Sequence, residues 1–263
     1  MQETAGIPAK ESNHQNPGRY RGPGRHSVPC CRLPPAPGII PVRQDTKNNR
    51  KEPVMEISEY GSKSAPVILL QPVDEHDLAF IENEVSLIRE RVSADFRLIA
   101  FKVPDWNNDL SPWPAPAVFG REGFGGGAEN TLKEILRYCE CMAGTYYIGG
   151  YSLAGLFALW AAYRTDLFRG VAAASPSVWF PGFPEFMREH RIQAGRVYLS
   201  LGDREEKTRN PVMAKVGDNI RAACDILEKQ GVGYELEWNE GNHFRDADLR
   251  TAKAFSRIMN RQP

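Results

Sequence analysis

The sequence lacks a net charge: 33 Lys and Arg stand against 33 Asp and Glu in 263 residues. That excludes a whole-chain affinity for nucleic acid driven by charge. Cysteine is scarce, with five residues. Neither the adjacent Cys30 and Cys31 nor the pair Cys139 and Cys141 has the spacing of a zinc framework or a disulfide scaffold. The thiols read as reduced, the protein as cytoplasmic, and no metal is expected. Residues 1–53 have no apolar core of signal-peptide length. From Cys141 to Tyr163 there is no charge at all, a length that could span a bilayer. Gly144, Gly149, Gly150, Ser152 and Gly155 interrupt it, however, and its β-like first half gives way to a helix-like second half. A buried strand, a tight turn and a buried helix explain this run better than a membrane span, so no membrane partner is expected.

What is present is a soluble globular composition, 41% hydrophobic and 25% charged. The charge is unevenly spread. Residues 1–53 hold nine Lys and Arg against four Asp and Glu, nine of the 20 prolines, and a single aromatic, Tyr20. Such a stretch cannot bury enough apolar surface to offset its ordering entropy. The organisation expected is a disordered, basic, Pro-rich tail over 1–53 and one folded domain over 54–263.

Within that domain apolar strands alternate with amphipathic helices. Strands are predicted at 67–70, 97–103, 145–150, 170–174, 196–201 and 234–238, with an edge strand near 54–60. Helices are predicted at 77–91, 129–142, 153–163, 184–191, 212–229 and 247–260. Residues 104–126 read as one long loop rich in Pro, Trp and Gly. The alternation predicts an α/β fold, a mostly parallel central sheet with helices on both faces. In such sheets, sites form at the carboxyl ends of strands.

One strand-to-helix turn there carries chemistry. In Gly150-Tyr151-Ser152-Leu153-Ala154 a serine sits on a sharp bend, flanked two residues away on each side by small residues. The following helix points its free N–H groups and positive dipole end at the serine. Leu153 N–H would supply half of an oxyanion hole. The competing explanation is an ordinary Gly-rich turn with Ser152 as helix cap. A serine hydroxyl needs a base. Among five histidines, His14 and His26 lie in the tail and His190 ends a charged run. His243, between the last strand and the last helix, stands where the base belongs when the order is Ser, acid, His. His76, after the first core strand, is its rival. The acid should follow strand 196–201, where Asp203, Glu205 and Glu206 compete. Position alone does not choose among them. The need for the turn to come back towards the histidine loop favours Glu205.

Gly150-Tyr151-Ser152-Leu153-Ala154-Gly155, Ser175-Pro176-Ser177-Val178-Trp179, Gly202-Asp203-Arg204-Glu205-Glu206 and Gly241-Asn242-His243-Phe244 occur in that order. The set resembles the esterase family of α/β-hydrolases that includes enterochelin-esterase-like, S-formylglutathione-hydrolase-like and feruloyl-esterase-like enzymes. The resemblance spans roughly residues 60–260. It implies the α/β-hydrolase fold and a Ser–acid–His hydrolase with Ser152 as nucleophile and His243 as base. In such relatives the acid commonly lies three residues after the glycine that ends its strand, which here is Glu205. Glu206 and Asp203 remain the alternatives. Ala154 stands where the family usually has Gly.

The second oxyanion donor should come from the loop after the first core strand, where Pro72 has no N–H and Val73 is the candidate. The Gly123–Gly127 stretch lacks the Lys-Ser/Thr of a phosphate loop and reads as a rim or packing turn. Trp106, Trp113, Phe119, Phe124, Trp179, Phe180 and Phe183 sit on two long loops. Should those loops meet over Ser152, Trp113 and Trp179 would line an apolar pocket. The alternative is that the aromatics pack the loops onto the body. The function expected is hydrolysis of a small-molecule carboxylic ester through an acyl-enzyme on Ser152, with no cofactor. An acyltransferase, thioesterase or peptidase using the same residues, or a non-catalytic binding module on the same fold, is the alternative.

Overall fold

A computed structural model describes residues 55–118 and 120–260. The tail over 1–53, with Cys30, Cys31, His14 and His26, lies outside the described residues, as does Phe119. In chain order the elements are β1 (Glu56–Gly61), β2 (Val67–Val73), α1 (Glu75–Arg89), β3 (Phe96–Lys102), α2 (Trp106–Asp109), β4 (Pro114–Ala115) and β5 (Phe124–Gly125). There follow α3 (Ala128–Cys139), β6 (Thr145–Tyr151), α4 (Leu153–Ala161), β7 (Phe168–Ala174), α5 (Phe183–Glu189) and β8 (Arg196–Gly202). A 3-10 turn at Met213–Lys215, α6 (Val216–Lys229), β9 (Gly233–Asn239) and α7 (Ala247–Asn260) come last.

Seven strands form one sheet in the order β1-β3-β2-β6-β7-β8-β9. Only β1 runs antiparallel, pairing with β3 at the edge. The other pairings are parallel. After β3 the chain crosses back over β2 to form β6, so the topological switch falls between β2 and β6. That is where an open α/β sheet leaves a crevice at its carboxyl edge.

The five inner strands, β2, β3, β6, β7 and β8, are largely buried on both faces, and their two sets of side chains feed two cores. Ile68, Leu70, Ile99, Phe101, Ile148, Val171, Val197 and Leu199 point to the side covered by α3, α4, α5 and α6. Leu69, Val73, Leu98, Ala100, Ala172 and Tyr198 point to the side covered by α1 and α7. Alternation of period two within continuous apolar runs makes this division. All nine residues of α4 are buried, which accounts for the uncharged stretch that precedes Arg164. Among the described residues no helix is long and apolar enough to cross a membrane.

The long loop expected over 104–126 holds more order than its composition suggests. It contains α2 and the two-stranded β4–β5 ribbon. The glycine stretch closes it as a packing turn: Gly126 N–H donates to Ser111 Oγ at 2.8 Å and Gly127 N–H to Asn108 O at 2.7 Å. Such pairs are too short to leave a periodic signal.

Phe255 on α7 is fully buried against the sheet. Phe255→Ala is expected to destabilise the protein by about 3–5 kcal/mol, read as a lower midpoint in urea denaturation.

Candidate active site

Ser152 stands at the bend between β6, the central strand, and α4. Its φ of 56° and ψ of −117° place a non-glycine residue in a sparsely populated backbone region. Such a conformation costs on the order of 1–3 kcal/mol and persists only where its surroundings hold it. Here they do. Ser152 N–H donates to Ala174 O at 3.1 Å, and Ser152 O accepts from Leu156 N at 3.0 Å and Ser177 N at 3.0 Å. The small flanking residues are a steric necessity, because a Cβ at Gly150 would meet the Ala154 Cβ at 2.6 Å. Ala154 therefore fills the space left by Gly150, and a glycine at 154 is not needed.

The hydroxyl is half-buried and bonds to the histidine loop. Ser152 Oγ donates to His243 Nε2 at 2.9 Å, and His243 Nδ1–H donates to Glu205 Oε2 at 2.7 Å. This pairing fixes the imidazole tautomer with its proton on Nδ1. Ser177 Oγ lies 3.3 Å from Ser152 Oγ.

Hydrogen bonds between neighbouring loops bring these groups together from β6, β8 and β9. Asp203 N–H donates to Asn239 O at 2.8 Å and Arg204 N–H to Gly241 O at 3.1 Å. In return Gly241 N–H donates to Asp203 Oδ1 at 2.8 Å. The loops after β8 and β9 are thus tied edge to edge. A side chain at Gly202 would collide with Gly241 O. From the other direction Tyr151 OH donates to His243 O at 2.7 Å. Burial, and next the charge of Glu205, push the Tyr151 phenol up to about 12, so it stays a neutral donor.

The three carboxylates have separate uses. Asp203 ties down the histidine loop. Glu206 faces Arg221 at 3.5 Å on the surface. Glu205 is buried, and its Oε1 accepts from Gly202 N–H at 2.7 Å, Ser175 Oγ at 2.8 Å and Arg250 Nη1 at 2.9 Å. Burial acts to raise its carboxyl, but the bond and charge of His243, with the bonds from Gly202 and Ser175, outweigh it and hold the group below its ordinary value of 4.5.

Sequence reasoning does not single out Arg250, Ser175 or Tyr151 for these roles. Arg250 is 2% exposed, and its Nη1 also reaches Tyr151 OH at 3.1 Å and Ser175 Oγ at 3.2 Å. Its Nη2 donates to Glu240 O at 3.0 Å. A signal for it exists: Arg250, Ala254 and Ile258 share one stripe of α7, and an arginine on a buried apolar stripe needs an acid partner.

The other described histidines take no part in this arrangement. His76 sits exposed on α1, edge-on to Phe80, and His190 Nδ1 is 2.9 Å from Phe186 O. Val73 ends β2 and is correctly placed in sequence, but its carbonyl accepts from Val103 N at 3.0 Å. In a parallel ladder the same residue turns its N–H to the same neighbour. The Val73 N–H therefore faces β3, away from Ser152, and the expectation that it serves as a donor there is corrected. Trp113 donates its Nε1–H to Pro181 O at 2.9 Å and packs on Phe180, Phe183 and Phe186. Trp179 is buried against Phe124. Both tryptophans hold the loops to the body. Among the described residues no group of three His, Cys, Asp or Glu is arranged to hold a metal ion.

This sheet order, with a serine on the bend after its central strand, defines the α/β-hydrolase fold. Comparison with solved structures supports the same class. The chain superposes on an IroE-like serine hydrolase from Shewanella oneidensis with a TM-score of 0.63 at 16% identity, over 77% of this chain and 75% of that one. It superposes on the siderophore hydrolase EstA from Aspergillus nidulans with a TM-score of 0.59 at 17% identity, over 82% and 97%. A Bacillus cereus carboxylesterase gives 0.51 at 13% identity, over 80% and 97%. At these identities the likeness establishes the fold. No family model matches the sequence, and no curated protein matches it.

Removing one partner of a buried ion pair leaves the other charge uncompensated. Arg250→Met is expected to cost about 3–5 kcal/mol of stability, measured by chemical denaturation. Because the Glu205 carboxyl is lowered on folding, its contribution is present above about pH 4.5 and lost as pH falls through the folded value. Glu205→Gln is expected to flatten that part of the acid-unfolding curve.

Proposed function

We propose that residues 54–263 form a serine hydrolase that cleaves a carboxylic ester through an acyl-enzyme on Ser152. The reading rests on one observation, the continuous path Ser152 Oγ to His243 Nε2 at 2.9 Å and His243 Nδ1 to Glu205 Oε2 at 2.7 Å. A helix cap has no use for a base oriented by a buried carboxylate. The names of the solved neighbours, serine hydrolase, siderophore hydrolase and carboxylesterase, favour the same reaction class.

In this scheme His243 Nε2 takes the Ser152 proton as Oγ attacks the ester carbonyl. Glu205 keeps the proton on Nδ1 and stabilises the imidazolium that forms. The carbonyl oxygen gains charge in front of α4, whose first N–H, Leu153, has no acceptor within its own helix. Asp74 supplies the second donor. Its extended backbone, with φ of −101°, turns its N–H to the opposite edge from that of Val73, and Pro72 on that edge has none. His243 then protonates the departing alcohol, and a water molecule repeats the sequence on the acyl-enzyme.

Ser152→Ala is expected to lower hydrolysis of a short-chain aryl ester by at least about a thousandfold and to abolish labelling by a serine-directed phosphonate. Unchanged turnover in that variant would exclude Ser152 as nucleophile. Glu205→Gln and Glu206→Gln, assayed together, separate the acids. The first is expected to lose most of its activity, and the second, a surface residue, less than about threefold. The reverse order would reassign the acid.

A further inference from the structure

On the sheet face covered by α1 and α7, a cavity of about 230 Å³ lies beside the histidine loop. Four of its lining residues are acidic: Asp77 and Glu84 on α1, and Asp246 and Asp248 at the start of α7. Among the described residues no Lys or Arg lines it. Glu84 is 4% exposed, and Gln71, on the adjoining strand β2, is 2% exposed. Gln71 Nε2 donates to Glu84 Oε2 at 3.2 Å, while Glu84 Oε1 and Gln71 Oε1 have no hydrogen-bond partner among the described residues. When Glu84 is ionised, these two buried acceptors have no donor, an expensive arrangement.

Three nearby donors are already committed. Thr251 Oγ1 donates to Ala247 O at 2.9 Å, Tyr151 OH to His243 O at 2.7 Å, and Asn83 Nδ2 to Asp248 Oδ2 at 2.6 Å. At the rim are Phe80, half exposed and edge-on to His76, and Phe244, almost fully exposed. The chamber is acidic inside, short of donors, and apolar at its mouth. Among the described residues the carboxylates do not converge in a metal-binding group. We propose that this chamber binds a primary ammonium group carried on an apolar body. The three N–H donors of the ammonium meet Glu84 Oε1, Gln71 Oε1 and the Asp77 carboxylate, and its hydrocarbon part rests against Phe80 and Phe244.

Binding is coupled to a proton. Without a ligand, burial, followed by the Gln71 bond in the opposite sense, leaves the Glu84 carboxyl well above its ordinary value. Burial, and next the charge of Asp74, push Asp77 up to about 6. Asp246, held by Arg245 at 3.3 Å, and Asp248 face them from the α7 side, His76 from α1, and β2 and β6 present only Gln71 and Tyr151. An entering ammonium replaces the proton on Glu84, so affinity rises with pH and a proton is released.

The test is calorimetric titration of the full chain with benzylamine near about pH 8, in two buffers of different ionisation enthalpy, alongside benzyl alcohol and calcium chloride. Saturable benzylammonium binding with proton release, and none for the alcohol or calcium, supports the site. Equal binding of benzyl alcohol, preference for calcium, or no saturation overturns it. Glu84→Gln is expected to weaken benzylammonium by about tenfold or more, and an unchanged affinity refutes the assignment. Where that variant does not fold, Asp77→Asn decides: about threefold weaker binding or more supports the site, and unchanged binding overturns it. Ser152→Ala is expected to bind benzylammonium as the wild type does, so the outcome stands apart from that of the hydrolase reading.

Discussion

A buried carboxylate survives in a protein only when donors replace the water it has lost, and Glu205 has such a set. A backbone N–H, a hydroxyl and a guanidinium converge on Oε1, which leaves Oε2 for the imidazole. The geometry of the candidate site follows from that division. With Oε1 saturated, the free oxygen has one direction to face, and His243 Nδ1 lies along it. Arg250 is the structural price of the arrangement. Its cation, itself out of water, is held by Tyr151 OH, Ser175 Oγ and Glu240 O as well as by Glu205. One side chain of the last helix thereby links the ends of β6, β7, β8 and β9.

That linkage explains how the fold tolerates strain at two neighbouring serines. Ser152 and Ser175 both have positive φ, and they follow adjacent central strands, β6 and β7. Each is pinned through its backbone: Ser152 N–H to Ala174 O, Ser175 N–H to Ser200 O. The carboxyl edge of the sheet thus continues its hydrogen-bond ladder one residue beyond the strands, into the bends. A hydroxyl held on such a bend has little conformational freedom left to lose, which is what preorganisation means.

The alternation of strands and helices is legible in the sequence because parallel strands buried on both faces are short apolar runs, and the helices between them carry apolar stripes. Val67 to Leu70 and Arg97 to Val103 are plain examples. The serine and histidine are legible because each occupies a fixed place in the chain order relative to the strands. For the acid, position in the chain narrows the choice to three and goes no further, since the difference among Asp203, Glu205 and Glu206 lies in what surrounds them. Asp203 turns to Gly241 N–H and Glu206 to Arg221, and neither partner is close in sequence. The expectation for Val73 fails for a related reason. Which edge of a strand an N–H faces depends on the register of pairing, and register is not written in the strand's own residues. The loop aromatics likewise divide between packing and pocket only once the two loops are placed in space.

Glu205 and Glu84 show how little burial alone decides. Both are under a tenth exposed and both lie near the carboxyl edge of the sheet. Glu205, with four donors, is held below 4.5; Glu84, with the single donor Gln71 Nε2, is held well above it. Their effects on stability have opposite signs. The lowered group contributes above its unfolded pKa and loses that contribution in acid. The raised group favours folding most below its unfolded pKa and loses that contribution as pH climbs through the folded value. At neutral pH the fold therefore carries the cost of an under-satisfied Glu84 together with the gain from a fully satisfied Glu205. A cost of this kind is relieved by any ligand that brings donors and positive charge to the unpaired oxygen, and among the described residues no Lys or Arg lines the space between α1 and α7.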